Sequence, residues 1–300
     1  MKKVSIIIVN FNSSIFLKNC IESIYKYTNK ELFEVIIVNN SPNDNLKFIK
    51  EFFNDIKIIE NESNLGFSKA NNIGIKESIG EYILFLNPDT EIISDVLALF
   101  LDFSEKNNKN IGACGGQLFF NTKEKQESYG NFPSIRQILF EFGLNKIFKK
   151  HYREKLATGV IDNKNEMTYC RGKKVDYITG ANIFIKRKVL NEIKFFDEDF
   201  FLYYEDTELC YRLEKKGYNN FFIPSVKIIH HLGKSSNDNI NKLLLIEKSK
   251  YLFFEKCYGK NIKKMAIILY IIKYTLAFII LSEKRKYFLL IKENYCLINK

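Results

Sequence analysis

Residues 80–92 read GEYILFLNPDTEI, and this stretch decides the fold. Tyr82–Leu86 is an unbroken apolar run of strand length, which predicts a strand buried on both faces. Asn87-Pro88-Asp89 stops the run as turn-forming residues do. Asp89 is also placed as a hard-cation ligand would be, at the carboxyl edge of a buried strand. A cation held there can bridge a diphosphate. A plain turn accounts for the same three residues, so both readings stand.

The pattern repeats upstream. Val4–Val9 is a β-branched run closed by Asn10-Phe11-Asn12-Ser13, and Glu34–Val38 is closed by Asn39-Asn40-Ser41-Pro42. Ile56–Ile59 reads as a further strand. Helical patterns lie between, with Phe16, Cys20, Ile21 and Ile24 on one face of the first, then residues 45–53 and Ser68–Ser78, and Ile93–Glu105 after the last strand. This β-α-β-α-β-α-β rhythm predicts an α/β fold: a Rossmann-like, mostly parallel sheet with helices on both faces. Ligands of such sheets bind beyond the carboxyl ends of the strands, where the clusters at 10–13, 39–44 and 87–89 fall.

From residue 112 the rhythm breaks. Gly112, Gly115 and Gly116 predict a bend or close packing, and residues 121–172 read as a polar, basic loop or small subdomain. Val175–Ile178 and Ile183–Ile185 restore order, and Phe221–Ile223 and Val226–Ile229 read as two short strands. A helix beginning near Glu205 carries Leu209 and Leu213 on one face and Glu208 with Arg212 as an i,i+4 ion pair. Its first turn holds Glu205, Asp206 and Glu208; the helix dipole favours ionised carboxylates there, and one of them could serve as a general base. First-turn acids also occur for stability alone. His230 and His231 end an apolar strand and are two of only three histidines; imidazole is a metal ligand or a plain hydrogen-bonding group. Gly66 opens a helix whose first N–H groups suit phosphate. No GxxxxGK[ST] and no GxGxxG after the first strand is present.

The 300 residues carry 46 Lys and Arg against 35 Asp and Glu, a net charge of +11, and are 46% apolar, which excludes a disordered chain. Residues 240–300 hold 13 basic and 4 acidic residues, net +9, leaving 33 and 31 elsewhere, net +2. Cys20, Cys114, Cys170, Cys210, Cys257 and Cys296 are scattered without a CxxC pair, which argues against a zinc site or disulfide scaffold and fits a reducing cytoplasm. The apolar run in MKKVSIIIVNFN is too short for a signal peptide.

Taken in order, VSIIIVNFNSS at the start, EVIIVNNSPND at 34–44, NLGFSKANNIGI at 64–75, GEYILFLNPDTEI at 80–92, TGANIFIKRKVL at 179–190, FDEDFFLYYEDTELCYRLEKKGY at 196–218 and IIHHLGKS at 228–235 resemble a family 2 glycosyltransferase of the bacterial rhamnosyltransferase-like kind. The resemblance spans residues 4–258. It implies a GT-A fold, a nucleoside-diphosphate sugar donor (with dTDP-rhamnose as a candidate), a divalent cation (Mg²⁺ or Mn²⁺), inversion at the anomeric carbon, and a glycan or polyprenyl-linked saccharide acceptor in surface polysaccharide synthesis. It implies that Asp89 and His230 ligate the metal, with His231 as the rival of His230, and that Asn87 occupies the other position of the DxD-like element. It implies Asp206 as catalytic base with Glu205 beside it, and donor binding by Asn10, Phe11, Asn39, Asn72 and Asn87. Asn39 departs from the Asp usual there; an amide can accept the same hydrogen bond and also donate.

The chain divides in this reading into a GT-A domain, 1–239, and a basic, apolar helical tail, 240–300. Leu243–Tyr258 is helical, and Met265–Leu281 is a 17-residue apolar stretch interrupted by Lys273 and flanked by Lys263-Lys264 and Lys284-Arg285-Lys286. A 17-residue helix is about 25 Å long, short for a bilayer core of about 30 Å. The expected state is an in-plane or re-entrant anchor on an anionic membrane, with the enzyme peripheral on the inner face of the cell membrane, rather than a nucleic-acid complex. A spanning helix and a buried helix are the alternatives. An inactive sugar-nucleotide-binding relative is the rival function. A nucleotidyltransferase is disfavoured, because its glycine- and lysine/arginine-rich N-terminal loop is missing.

Overall fold

The computed structural model describes residues 2–107, 110–142, 172–231 and 240–298. Cys170, His151 and the Gly233 end of the 228–235 motif lie outside the described residues. The described residues fall into two compact units: one of residues 2–107, 110–130, 172–201 and 205–231, the other of residues 131–142, 202–204 and 240–298.

The first unit begins as its sequence predicts. β1 (Val4–Asn10), α1 (Ser14–Tyr27), β2 (Phe33–Asn39), α2 (Lys47–Phe52), β3 (Lys57–Glu60), α3 (Phe67–Lys76) and β4 (Tyr82–Leu86) follow one another. Their strands pair in parallel in the order β3-β2-β1-β4. Alternate side chains face opposite sides of the sheet. Val4, Ile6 and Ile8 join the core with Leu17, Cys20 and Ile21 of α1, while Val9 packs with Ala70 of α3. Gly74 of α3 approaches so closely that a Cβ there would lie 2.5 Å from Ile7 Cγ2. Helices therefore cover both faces, as strands apolar on both faces require.

The rest of the sheet corrects the mostly parallel expectation. β5 (Thr90–Ile92), α4 (Val96–Lys106), β6 (Ile111–Phe119), β7 (Tyr129–Gly130), α5 (Ile135–Glu141), β8 (Lys173–Val175), β9 (Tyr177–Ile178), β10 (Asn182–Lys186), α6 (Arg187–Ile193), α7 (Glu205–Lys215) and β11 (Asn219–His230) follow. The main sheet runs β3-β2-β1-β4-β10-β6-β11-β5, with β8 also on β11. β10 is antiparallel to both β4 and β6, and β11 is parallel to β6 but antiparallel to β5 and β8, so the sheet is mixed. Gly112, Gly115 and Gly116 make no bend: they lie inside β6. A Cβ on Gly115 would come 2.1 Å from Ile178 Cγ2, and one on Gly116 2.3 Å from Val226 Cγ1, so close packing is their reason. The two short strands expected at 221–223 and 226–229 are one strand, β11, whose register on β6 shifts between Ile223 and Lys227, around Pro224.

The second unit is helical. α8 (Ile240–Tyr258), α9 (Lys260–Ile280) and α10 (Lys284–Ile298) pack with α5 around Ile138, Tyr251, Phe254, Ile267, Tyr270 and Leu290. Gly259, at φ 90°, supplies the left-handed turn between α8 and α9. Polar groups are buried among these rings. Tyr251 and Tyr274 donate to the two Glu247 carboxylate oxygens at 2.9 and 2.8 Å, and Lys250 pairs with Glu247 while lying 3.4 Å from the Tyr270 ring centroid. Lys273, the interruption in the apolar stretch, pairs with Glu141 at 2.5 Å. Among the described residues, no helix is long and apolar enough to cross a membrane.

Candidate active site

The carboxyl ends of the parallel strands form one side of the site. Asn10 and Asn39 end β1 and β2 in register, with Glu60 of β3 opposite Asn39. Asn10 Nδ2 donates to Asn39 Oδ1 at 2.9 Å and to Asp44 Oδ2 at 3.0 Å. Asn39 Nδ2 donates to Glu60 Oε2 at 2.6 Å and to the Asp44 carbonyl at 3.0 Å, and its Oδ1 also accepts from the Ser41 N–H at 3.2 Å. The Asn39 amide is thus engaged at both ends. Asn10 Oδ1, by contrast, is buried with no hydrogen-bond partner among the described residues. An open buried acceptor costs about 1–3 kcal/mol, which a ligand N–H would relieve. Phe11, next in the chain, is 48% exposed.

Asn72 is not brought into this group. Its Nδ2 donates to the Phe196 carbonyl and Glu198 Oε1, both at 3.0 Å, and its Oδ1 accepts from the Phe196 N–H at 3.1 Å. It ties α3 to the 196–198 loop. Gly66, at φ 83°, meets protein backbone rather than open space: a Cβ would lie 2.6 Å from the Phe201 carbonyl oxygen, which accepts from the Phe67 N–H at 2.7 Å. That bond takes the first N–H of the helix entry.

The second side forms where β5 meets the end of β11. Thr90 stands opposite His230, so the strand after the Asn87-Pro88-Asp89 turn brings Asp89 to the histidine. His230 Nε2 lies 3.4 Å from Asp89 Oδ1 and 3.5 Å from Asn87 Nδ2. His231 is directed elsewhere: its Nε2 is 2.8 Å from Glu91 Oε1 and its ring stacks on Phe16. Adjacent residues of an extended strand point to opposite sides, so only one of the two histidines faces Asp89. Behind His230, Gln126 Oε1 lies 3.0 Å from Nδ1, and Gln126 Nε2 donates to the His230 carbonyl at 2.5 Å.

The third side is the first turn of α7. Asp206 Oδ2 accepts from the Gly180 N–H at 2.7 Å, and Oδ1 accepts from the Thr207 N–H at 2.6 Å and its hydroxyl at 3.0 Å. Glu205 is buried, and its Oε2 has no partner among the described residues. Burial raises the affinity of both carboxylates for protons, and for Glu205 the neighbouring Asp206 charge adds to it. Glu208, the third acid, is taken by Arg212 through bonds of 2.6 and 2.8 Å. Arg212 also donates to the Ile193 and Phe195 carbonyls, which ties α7 to the end of α6.

Residues 179–181 join the second and third sides. Gly180 holds Asp206, the Ala181 carbonyl accepts from the Asn87 N–H at 3.1 Å, and the Thr179 N–H donates to the Ser128 carbonyl at 3.1 Å. Ser128 Oγ in turn donates to the Gln126 carbonyl at 3.0 Å. The sequence marks Thr179-Gly180-Ala181 only as part of a motif, and nothing in it marks Gln126.

A layered, mixed α/β sheet with acids and an imidazole gathered beyond its strand ends defines the GT-A class of sugar-transferring folds. Solved structures agree: the chain is similar to GalNAc-T7 crystallised with UDP, GalNAc and Mn²⁺ (TM-score 0.62, 17% identity), covering 84% of this chain and 50% of that one. It is similar also to Staphylococcus aureus TarS (TM-score 0.53, 14% identity), covering 94% of this chain and 44% of that one. The chain thus spans half or less of either structure.

The chain belongs to glycosyl transferase family 2, whose model matches residues 5–194, and is a glycosyltransferase of the rhamnosyltransferase-like kind. A model of glycosyl transferase family group 2 matches residues 143–291. Curated relatives include the N-acetylglucosaminyl-diphospho-decaprenol L-rhamnosyltransferase of Mycobacterium tuberculosis, 21% identical over 83% of this chain and 82% of the relative. The rhamnosyltransferase WbbL of Escherichia coli is 25% identical over 76% and 83%. A low-salt glycan biosynthesis hexosyltransferase, Agl10 of Haloferax volcanii, is 25% identical over 87% and 78%.

Proposed function

We propose that the chain transfers a sugar, with inversion, from a nucleoside-diphosphate sugar to a hydroxyl of a glycan or polyprenyl-linked saccharide. The observation that carries this reading is the 179–181 loop, which ties the Asp206 carboxylate and the Asn87–Asp89–His230 cluster to one short backbone segment. Asp206 accepts the hydroxyl proton as the acceptor oxygen bonds to the anomeric carbon from one face. The bond from that carbon to the diphosphate breaks on the other face, and the nucleoside diphosphate leaves. Glu205 retains a proton beside it, so the pair presents one charge. Asn10 and Phe11 receive the nucleobase, with the open Asn10 Oδ1 as acceptor. Asn39 and Asn72 support this region, Asn39 from behind Asn10 and Asn72 through the 196–198 loop.

The donor set fits a divalent cation. Among the described residues no three His, Cys, Asp or Glu side chains form a complete cage. A carboxylate oxygen and an imidazole nitrogen lie 3.4 Å apart, with the Asn87 amide 3.5 Å from that nitrogen, and would form a partial donor set for a cation that diphosphate oxygens could complete. Such oxygen-rich, incomplete sites suit Mg²⁺ or Mn²⁺ shared with a nucleotide. When bound, the cation neutralises charge on the departing diphosphate.

The helical unit is proposed to rest on an anionic membrane, where a lipid-linked acceptor is met. The support is the outer side of α9, where Met265, Ile268, Ile272, Leu276, Ile279 and Ile280 are exposed at helical spacing. The decisive experiment is a screen of dTDP-, UDP- and GDP-sugars with Mg²⁺ or Mn²⁺, run on the wild type and Asp206→Asn. The wild type should turn over one donor. The variant should bind that nucleotide normally and lose roughly 10²–10⁴ in rate. Nucleotide binding without turnover of any donor would favour a sugar-nucleotide-binding relative instead.

A further inference from the structure

Gln126 lies between β6 and β7 and is buried, and its side-chain amide meets His230 twice. Its Nε2 donates to the His230 carbonyl at 2.5 Å. A carbonyl oxygen only accepts, so the amide cannot be turned over without setting oxygen against oxygen. Oε1 therefore faces Nδ1, at 3.0 Å, and that contact is a hydrogen bond only when Nδ1 carries the proton. In the neutral ring the lone pair is then on Nε2, directed at Asp89 Oδ1 across 3.4 Å. The Asn87 amide Nδ2, 3.5 Å from Nε2, is a donor toward that lone pair, and a cation shared with Asp89 would take the same lone pair.

We propose that Gln126 is a positioning residue for metal ligation: it holds His230 in the Nδ1–H tautomer and aims Nε2 at the cation shared with Asp89. Gln126 is itself fixed. Its N–H donates to the Leu118 carbonyl at 2.8 Å, and its carbonyl accepts from Gln117 Nε2 and Ser128 Oγ, both at 3.0 Å. The inference rests on the reading of Asp89 and His230 as ligands. Loss of a hydrogen-bond partner behind a ligating histidine typically weakens metal binding 10–100-fold.

The test uses the full chain and Mn²⁺ alone, with binding followed by electron paramagnetic resonance and the tautomer by ¹⁵N NMR of histidine-labelled protein. Only three histidines are present, and His230→Ala assigns the signal. Metal-free wild type should show His230 protonated at Nδ1. Gln126→Leu should bind Mn²⁺ about 10–100-fold more weakly. A neutral Nε2–H tautomer in the wild type overturns the proposal, and that measurement needs no variant to fold. Wild-type Mn²⁺ affinity in folded Gln126→Leu overturns it too. If His230→Ala weakens binding and Gln126→Leu does not, only the role of Gln126 fails. If the wild type takes up no Mn²⁺, or His230→Ala binds it normally, the ligand assignment and the proposal fall together.

Discussion

Asp206 and Glu205 are neighbours in one helical turn, yet their surroundings differ. Three donors meet the oxygens of Asp206, whereas Glu205 Oε2 meets none among the described residues. Both are raised by burial, but hydrogen bonds to the charged form pull Asp206 back, so Asp206 ionises first and Glu205 keeps the proton. The folded-state pKa of Glu205 lies well above its ordinary 4.5. The stability linked to this group is therefore present below about 4.5 and is lost as pH rises through the folded value. Each tenfold gain in proton affinity on folding corresponds to about 1.4 kcal/mol of it. Glu205→Gln places a neutral isostere there. Its melting temperature should exceed that of the wild type at pH 8–9 and match it near pH 4, and an equal difference at both pH values would refute the assignment. The acid pair itself was legible in the sequence. The resemblance also implied Asp206 as the base; the burial of the pair and the Gly180 contact were not legible, because they come from residues far away in the chain.

Among the elements, β5 and α9 differ most from what their sequence suggests. β5 has three residues, too few for a periodic signal, yet it sets Thr90 opposite His230 and so assembles the proposed metal cluster. α9 reads as an apolar stretch with a misplaced lysine. In the fold Lys273 pairs with Glu141 and Tyr270 and Tyr274 are buried, while an apolar ridge, with Thr275 beside it, remains exposed. The 21 residues of α9 make a helix about 32 Å long, amphipathic rather than apolar throughout. Ile272 and Leu276, one turn apart, are 46% and 47% exposed. Each contributes roughly 1.5–3 kcal/mol when fully buried in an apolar phase. Ile272→Glu with Leu276→Glu should therefore weaken co-sedimentation with phosphatidylglycerol vesicles at least about 10-fold, with helicity by circular dichroism unchanged. Undiminished sedimentation would mean the ridge is not the contact.

Across the whole molecule, charge is uneven: residues 240–300 are net +9 and the other 239 are net +2. Raising salt from 0.1 to 1 M shortens the Debye length from about 10 to about 3 Å. Vesicle binding should fall steeply over that range and should be weak on uncharged phosphatidylcholine; salt-independent binding would remove electrostatics from the account. Much of the fold was readable from local pattern. The apolar runs, the 3.6-residue periodicities and the strand-end turns determine the parallel half of the sheet, because strand and helix burial leave a mark every second or every third to fourth residue, while the family resemblance was carried by the ordered motifs. The antiparallel entry of β10, the turn of His230 toward Asp89 and of His231 toward Glu91, and the bracket of Asn72 on the 196–198 loop came from the tertiary structure, whereas the Glu208–Arg212 pair was already legible in its i,i+4 spacing. Most of these depend on residues distant in the chain, as with Asp89 and His230, and their proximity is set by strand order and register, which no local pattern encodes.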